Sequence, residues 1–347
     1  MNRKEALEVY KKETEQLCKK GIEQLEQQYL EEEKWLKDRL CITIEKLCER
    51  VKKPVKYIQI SLLQAQMDLE IFQLMICAYS EDYFLDSFPI SEVIDINRLF
   101  LPLKNIRKQL YEYAEEYQGK IQKFDADSLI RKIAIEFYKK RAEKLRKFFR
   151  DIDQWNCIQL LPKSERFIVK WGEHRELSDT LFLMDKTTKT QEQFIAINEK
   201  NTIEKWDTQY VYQCFDNVVF LDMTVEKKNL MFIGMRTCHL ERCQWDRVFF
   251  YGGSFRETVC RQVIFIGCDF TGCDFRNAIL EQVQFLYCNL SEADFTGAVI
   301  EDTEFPNSIM EGAYFSRENL SGHGLDANQL QQVKLEEKPY VFYDGRR

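Results

Sequence analysis

Three kinds of side chain in this sequence are equipped for chemistry: 12 cysteines, three histidines and a series of evenly spaced aspartates. Closely spaced thiols and imidazoles hold zinc, and a cysteine beside a histidine makes a nucleophile. The spacing supports neither. No two cysteines stand three positions apart, as a zinc knuckle requires, and His174, His239 and His323 are scattered. Cys238, Cys243, Cys268, Cys273 and Cys288 instead share one frame of a five-residue period that otherwise takes Val and Ala. That company marks them as small, reduced core thiols. Cys268 and Cys288 fall close enough to touch, without a disulfide being expected. Asp269 and Asp274 recur for the same periodic reason, which reads as turn and surface chemistry and not as an acid and base pair. No GxSxG, P-loop or HExxH pattern is present. The expectation is no catalytic residue, no cofactor and no metal.

Something must position these residues, and the chain of 347 residues has room for two domains of unlike architecture. With 45% apolar and 31% charged residues it is ordinary globular material. No apolar run reaches the roughly 18 to 20 residues of a membrane span, and the first residues lack the apolar core of a secretory signal, so a cytoplasmic protein is expected. Lys and Arg balance Asp and Glu from Met1 to Tyr210. The net charge of −7 therefore falls on the remainder, mostly between Glu281 and Leu330.

The N-terminal part reads as helical. Cys18, Ile22, Leu25, Tyr29, Leu36, Leu40, Ile44 and Leu47 recur at helical spacing, so a long amphipathic helix is expected to end before Pro54. Ile58, Leu62, Ala65, Leu69, Phe72, Ile76 and Tyr79 continue a 4,3,4,3 pattern, which predicts a second, central helix. A third is expected from Ser91, kinked or truly started by Pro102, and a fourth from about Asp125 to Trp155. The sum is a bundle or coiled coil over 1–155. Short apolar runs at 166–170, 180–184 and 193–197 predict strands in a small β-rich connector over 156–213.

From Phe215 to Phe315 every fifth residue is apolar, 21 positions without an insertion. Phe265, Phe270, Phe275, Leu280, Phe285, Leu290 and Phe295 are the centre of this wide frame. Two residues before each stands a small side chain, such as Cys268, Cys273, Ala278 and Ala293. A polar residue separates the two frames, as in Cys268-Asp269-Phe270. Neither helix nor strand has this period. One wide and one narrow inward side chain per five residues suits a thin tube.

In these residues the sequence resembles the pentapeptide repeat family, most closely over Cys268 to Phe295. The resemblance implies a right-handed quadrilateral β-helix over 214–323, which with the helical bundle before it makes an α+β multidomain protein the expected fold class. It implies four pentapeptides per coil, about five coils, and a tube of about 25 Å at the spacing of paired strands. Cys260 in the wide frame and Lys228 in the narrow frame depart from the pattern and would mark distorted or terminal coils. Leu325 to Leu335 resembles the helix that often caps such tubes, within a tail over 324–347.

Two charged surfaces remain as candidates. Glu292, Asp294, Glu301, Asp302, Glu304, Glu311 and Glu318 fall on expected outward positions of the last coils. Arg131, Lys132, Lys139, Lys140, Arg141, Lys144, Arg146, Lys147 and Arg150 make the fourth helix basic, either a solvated face balanced by acids such as Glu31, Glu32 and Glu33 or a docking face for lipid, nucleic acid or an acidic partner. The expected function is non-enzymatic binding of another protein, as adaptor, scaffold or effector carrier. It disfavours direct nucleic-acid contact and leaves homodimerisation open. The alternative implied by the family is a DNA-mimicking protector of topoisomerases.

Overall fold

The structure, a computed structural model, describes residues 2–86, 89–173, 178–187, 189–199, 211–317 and 324–336. The chain divides into two compact units, Met1–Phe182 and Leu183–Arg347.

The first unit opens with α1 (Arg3–Glu13) and the 36-residue α2 (Glu15–Arg50), which buries Leu25, Tyr29, Leu36, Leu40, Ile44 and Leu47 as their spacing requires. Helices α3 (Leu103–Glu115) and α4 (Lys123–Phe149) also form, and Pro102 marks the true start of α3. The expected second helix does not exist. Its residues make strands β1 (Val55–Leu63) and β2 (Gln73–Tyr79), paired antiparallel with Ile58 opposite Ala78 and Ile60 opposite Ile76. Ser91, expected to open the third helix, lies in β3 (Ile90–Asp95). The mistake has a physical cause. Gln59, Ser61 and Cys77 are buried as well as Ile58, Ile60 and Ile76, so the strands are buried on both faces and lack the clean alternation that marks a half-exposed strand, leaving a pattern that also fits a helix.

After the short α5 (Asn156–Leu160), β4 (Lys163–Glu173) runs parallel to β1, pairing Tyr57 with Ile168 and Ile60 with Trp171. With β5 (Ser178–Asp185) this gives a five-stranded sheet of order β3-β2-β1-β4-β5. Helix α4 is pinned to it by Tyr138, whose ring stacks on Trp171 at 4.1 Å and whose hydroxyl donates to the Ile60 carbonyl at 2.8 Å. The Trp171 indole N–H donates in turn to the Tyr138 carbonyl at 2.8 Å. Two buried aromatics thereby satisfy their polar atoms while bringing large apolar areas into the core.

The second unit is a β-solenoid. Strands β6 (Val219–Leu221), β8 (His239–Glu241), β10 (Val259–Arg261), β12 (Ile279–Glu281) and β15 (Val299–Glu301) stack in parallel as one flat face. The adjoining face carries β7 (Thr224–Glu226), β9 (Gln244–Asp246), β11 (Ile264–Ile266) and β13 (Gln284–Leu286). Partners are twenty residues apart throughout, as in Val259 with Ile279 and Phe265 with Phe285. Four pentapeptides therefore close one coil, and the tube has about six turns when β14 (Asp294–Phe295), β16 (Tyr314–Ser316) and β17 (Lys334–Glu336) are included.

All 21 wide-frame side chains except Ile300, itself 7% exposed, are within about 1% of complete burial. Their rings stack coil upon coil: Phe255, Phe275 and Phe295 at 4.9 and 4.8 Å, Phe265, Phe285 and Phe305 at 5.0 and 5.1 Å. Cys260 distorts nothing, since β10 keeps its register with Leu240 and Leu280. Its coil is the one with three phenylalanines in the wide frame, Phe255, Phe265 and Phe270, and a small fourth side chain leaves them room. Lys228 is half-buried near the first coil.

The corners carry a cost that the period conceals. Twenty successive corner residues, every fifth from Asn217 to Gly312, have positive φ, yet only Gly252, Gly267, Gly272, Gly297 and Gly312 are glycines. Thr237 at +53° and Tyr287 at +55° hold the left-handed conformation against their own Cβ.

Both ends are closed. Helix α6 (Gln191–Glu199), whose apolar run was expected to be a strand, sets Phe194 on the bore against Phe215, Phe220 and Trp245. Its Gln191 amide exchanges hydrogen bonds with the Leu221 backbone as a further strand would. At the other end the expected helix forms as α7 (Ala327–Gln332), and Gln329 donates to the Phe305 and Ser308 carbonyls at 2.7 and 3.0 Å. Glutamine side chains thus satisfy edges that would otherwise invite further pairing.

Candidate functional site

The cysteines and aspartates that opened the chemical question have structural duties. Each small polar side chain of the narrow frame donates to the carbonyl of a wide residue 23 positions earlier. Cys238 bonds Phe215 at 3.0 Å, Cys268 bonds Trp245 at 3.3 Å, Cys273 bonds Phe250 at 3.0 Å, and Thr303 bonds Leu280 at 3.0 Å. Ser308 does the same to Phe285 at 2.7 Å. Burial pushes the thiols of Cys238, Cys260 and Cys273 far above the ordinary range, the opposite of activation. All 12 cysteines are free. Cys268 and Cys288 interact between neighbouring coils, and that interaction together with burial raises Cys288.

Asp269 accepts from the Thr271 backbone N–H at 2.9 Å, Asp294 from that of Thr296 at 3.0 Å, and Asn289 from that of Ser291 at 3.2 Å. The polar residue between the frames therefore folds the turn after it. His239 is half-buried, 3.3 Å from Glu241, and His174 and His323 lie outside the described residues. Among the described residues no group of three His, Cys, Asp or Glu side chains is arranged to hold a metal ion, and no helix is long and apolar enough to cross a membrane.

Glu292, Glu301, Asp302, Glu304 and Glu311 are exposed. Asp294, expected beside them on the surface, is only 8% exposed, because its carboxylate is turned to the Thr296 amide and lies 4.0 Å from Arg276. Glu318 lies outside the described residues. Earlier coils neutralise their acids with arginines one coil away: Arg242 holds Asp222 at 2.6 Å and Arg261 holds Glu281 at 2.6 Å. Each arginine keeps its carboxylate below the usual range. Among the described residues, Glu301, Asp302 and Glu304 have no such arginine, and negative charge gathers there.

On α4 the cations are largely engaged within the first unit. Arg131 meets Asp68 at 2.6 Å, Lys139 meets Glu173 at 2.5 Å, Lys140 meets Glu136 at 3.0 Å, Arg146 meets Asp179 at 3.2 Å, and Arg150 meets Asp151 at 3.7 Å. Arg141 is buried, paired with Glu26 and resting over the rings of Tyr29 and Phe137 at 4.8 and 4.6 Å. Lys144 lies over Tyr29 at 5.5 Å, while Lys132 and Lys147 are exposed. The acids named from the sequence are otherwise used, Glu32 by Arg98 at 2.6 Å and Glu33 by Lys37 at 3.0 Å.

Sequence reasoning missed a different surface. On the flat face of β6, β8, β10, β12 and β15 the first residue of each strand points outward and makes the row Val219, His239, Val259, Ile279 and Val299, with Val219 and Val299 51% and 45% exposed. The charged ladder of Arg242 with Asp222 and Arg261 with Glu281 runs beside it. Reading every twentieth residue, and not every fifth, would have found it.

The family model described as "Pentapeptide repeat region" matches residues 238–315. That segment is a pentapeptide repeat solenoid. The pentapeptide repeats extend in the structure beyond the matched stretch at its N-terminal side, with the same twenty-residue pairing from Val219 on. Among solved structures, HetL, a pentapeptide repeat protein involved in heterocyst differentiation regulation from the cyanobacterium Nostoc sp. strain PCC 7120, aligns at 15% identity and TM-score 0.19 over 31% of this chain and 47% of its own. QnrB1, a plasmid-mediated fluoroquinolone resistance protein, aligns at 15% identity and TM-score 0.18 over 36% of this chain and 68% of its own. A pentapeptide repeat protein of the Arabidopsis thaliana thylakoid lumen aligns at 20% identity and TM-score 0.17 over 38% and 81%. The match spans less than half of HetL. No curated protein matches the chain.

Proposed function

We propose that this protein acts without catalysis, binding another protein through the flat β6-β8-β10-β12-β15 face of its pentapeptide repeats, with the N-terminal unit as a second attachment, in the manner of an adaptor, scaffold or effector carrier. The observation that carries the reading is the row of four β-branched side chains, Val219, Val259, Ile279 and Val299, interrupted by His239 and held outward at every twentieth residue on a parallel sheet. A mostly apolar row, exposed at Val219 and Val299, half-buried between them and bordered by fixed charges, suits a protein surface, where area comes from the row and register from the rim. The filled bore, the hydrogen-bonded thiols and the turn-forming aspartates support a non-enzymatic role. The topoisomerase-shielding alternative has less support, since Arg242 and Arg261 interrupt the negative charge of the earlier coils.

The test is in-cell crosslinking of the full chain followed by nuclease treatment and identification of the protein captured. Val219→Glu with Val299→Glu should abolish capture while the thermal transition stays within a few degrees. Phe249→Glu with Ile309→Glu, on another face where both residues are exposed, should leave it unchanged. Equal capture by both double variants would exclude this face, and capture lost with nuclease would point to nucleic acid.

A further inference from the structure

The N-terminal unit holds a cavity of about 80 Å³ that the function proposed above does not use. Its apolar lining is Phe72, Phe100, Leu103 and Ile130, each at most 4% exposed, with the rings of Phe72 and Phe100 stacked at 4.3 Å. Its charged lining is Glu70, Lys104 and Arg107. The first two are open to solvent, whereas Arg107 is buried. We propose that this cavity binds a small aliphatic α-amino acid, its alkyl group among the apolar side chains and its ammonium and carboxylate at the charged mouth.

A few polar groups converging on an apolar cleft are the usual form of a small-molecule site. Here they come from three separate segments. Arg107, in the second turn of α3, is fixed by donating to the Met67 carbonyl at 2.9 Å and the Asp68 carbonyl at 3.3 Å, with Asp127 3.2 Å from its Nε. Glu70 follows that turn with a φ of +61°, a left-handed backbone that costs a non-glycine residue energy. Its carboxylate lies 3.4 Å from Arg107 and 3.8 Å from Lys104, beyond direct hydrogen-bond length in both cases. Glu70 is therefore held by charge alone and is available to a ligand ammonium. Leu103 and Lys104 open α3, whose N-terminus has no capping side chain and no acid in its first turn. A ligand carboxylate beside Lys104 would supply the missing negative charge.

Charge and size narrow the class. Arg107 and Lys104 face Glu70 and Asp127, so the site is balanced as it stands. A lone anion or a lone cation would upset that balance, and a zwitterion keeps it. The cavity is about half the roughly 150 Å³ of an apolar cavity that admits benzene, so it takes a short alkyl group and no ring.

The full-length chain should bind L-alanine at one saturable site, read by isothermal titration calorimetry and by a rise in Tm that levels off. Propionate lacks the ammonium and ethylamine lacks the carboxylate, and each should bind at least about tenfold more weakly. L-phenylalanine should not bind. Glu70→Gln and Lys104→Gln, both at exposed side chains, should each weaken L-alanine about tenfold. Lys108→Gln, on α3 and paired with Glu112 outside the cavity, should leave the affinity unchanged. A Tm rise that grows without saturating, as an excluded osmolyte gives, would overturn the proposal. So would propionate, ethylamine or L-phenylalanine binding as well as L-alanine, or parental affinity in both mouth variants. Should a variant fail to fold, the ligand comparison on the parent chain still decides, and none of these outcomes depends on the binding face of the solenoid.

Discussion

In the solenoid every strand partner lies twenty residues away, and from Phe250 to Phe315 many of the buried rings stack on a ring one coil away. In the N-terminal unit β1 pairs with the nearby β2 and also, in parallel, with β4 more than a hundred residues on. The first arrangement spreads its stability over many equivalent neighbours. The second concentrates it on a few contacts that join distant segments, with Tyr138 and Trp171 the clearest. A rod made the first way is stiff along its length and offers flat faces, whereas a sheet clamped the second way depends on its keystones.

That difference can be broken at either end. Phe275→Asp removes a ring stacked between Phe255 and Phe295 and strands a carboxylate in the bore, so a loss of upward of about 5 kcal/mol is expected. Denaturant unfolding followed by far-UV circular dichroism would show it as a collapse of the solenoid signal. Trp171→Ala should cost the other unit about 3 to 5 kcal/mol through lost burial and stacking, seen as a shifted midpoint in the same titration. Cys260→Phe would place a fourth phenylalanine in a coil that already holds three, and overpacking should cost about 2 kcal/mol, read as a lowered Tm by calorimetry. Tyr287→Gly is expected to act in the other direction. It relieves a left-handed corner at a side chain 68% exposed, for a gain of up to about 1 kcal/mol, measured as a raised midpoint.

The same contrast explains which parts of the molecule could be read in advance. The solenoid was legible because its period excludes helix and strand alike, so Phe215 to Phe315 needed only a count. Cys260 made sense only once Phe255, Phe265 and Phe270 were seen to share its coil, which is information at period twenty. Between Ile58 and Tyr79 the helical and strand periods coexist, because both faces of the sheet are covered. The parallel partner β4 that decides between them lies too far along the chain to be inferred locally. Phe194 and its neighbours looked like a strand for a related reason: a helix that plugs a bore buries a short apolar run. The acidic surface was read correctly at Glu301 and Asp302 as exposed, but not at Asp294, whose carboxylate folds its own turn. The basic helix was legible as a helix, while the partners of its cations, from Asp68 to Asp179, depend on the sheet.

The inward placement of the narrow frame is the claim on which the rest depends, and the unmodified chain can test it. Under native conditions, pulse alkylation with residue-by-residue mass spectrometry should label Cys18 and Cys157 well before the solenoid thiols, since both are half-buried. Cys238, Cys243, Cys260, Cys268, Cys273 and Cys288 should stay protected until the solenoid unfolds as a whole, because each is at most about 2% exposed. Labelling of Cys243 or Cys268 at the rate of Cys18 would contradict the register and, with it, the outward row on which the binding face depends.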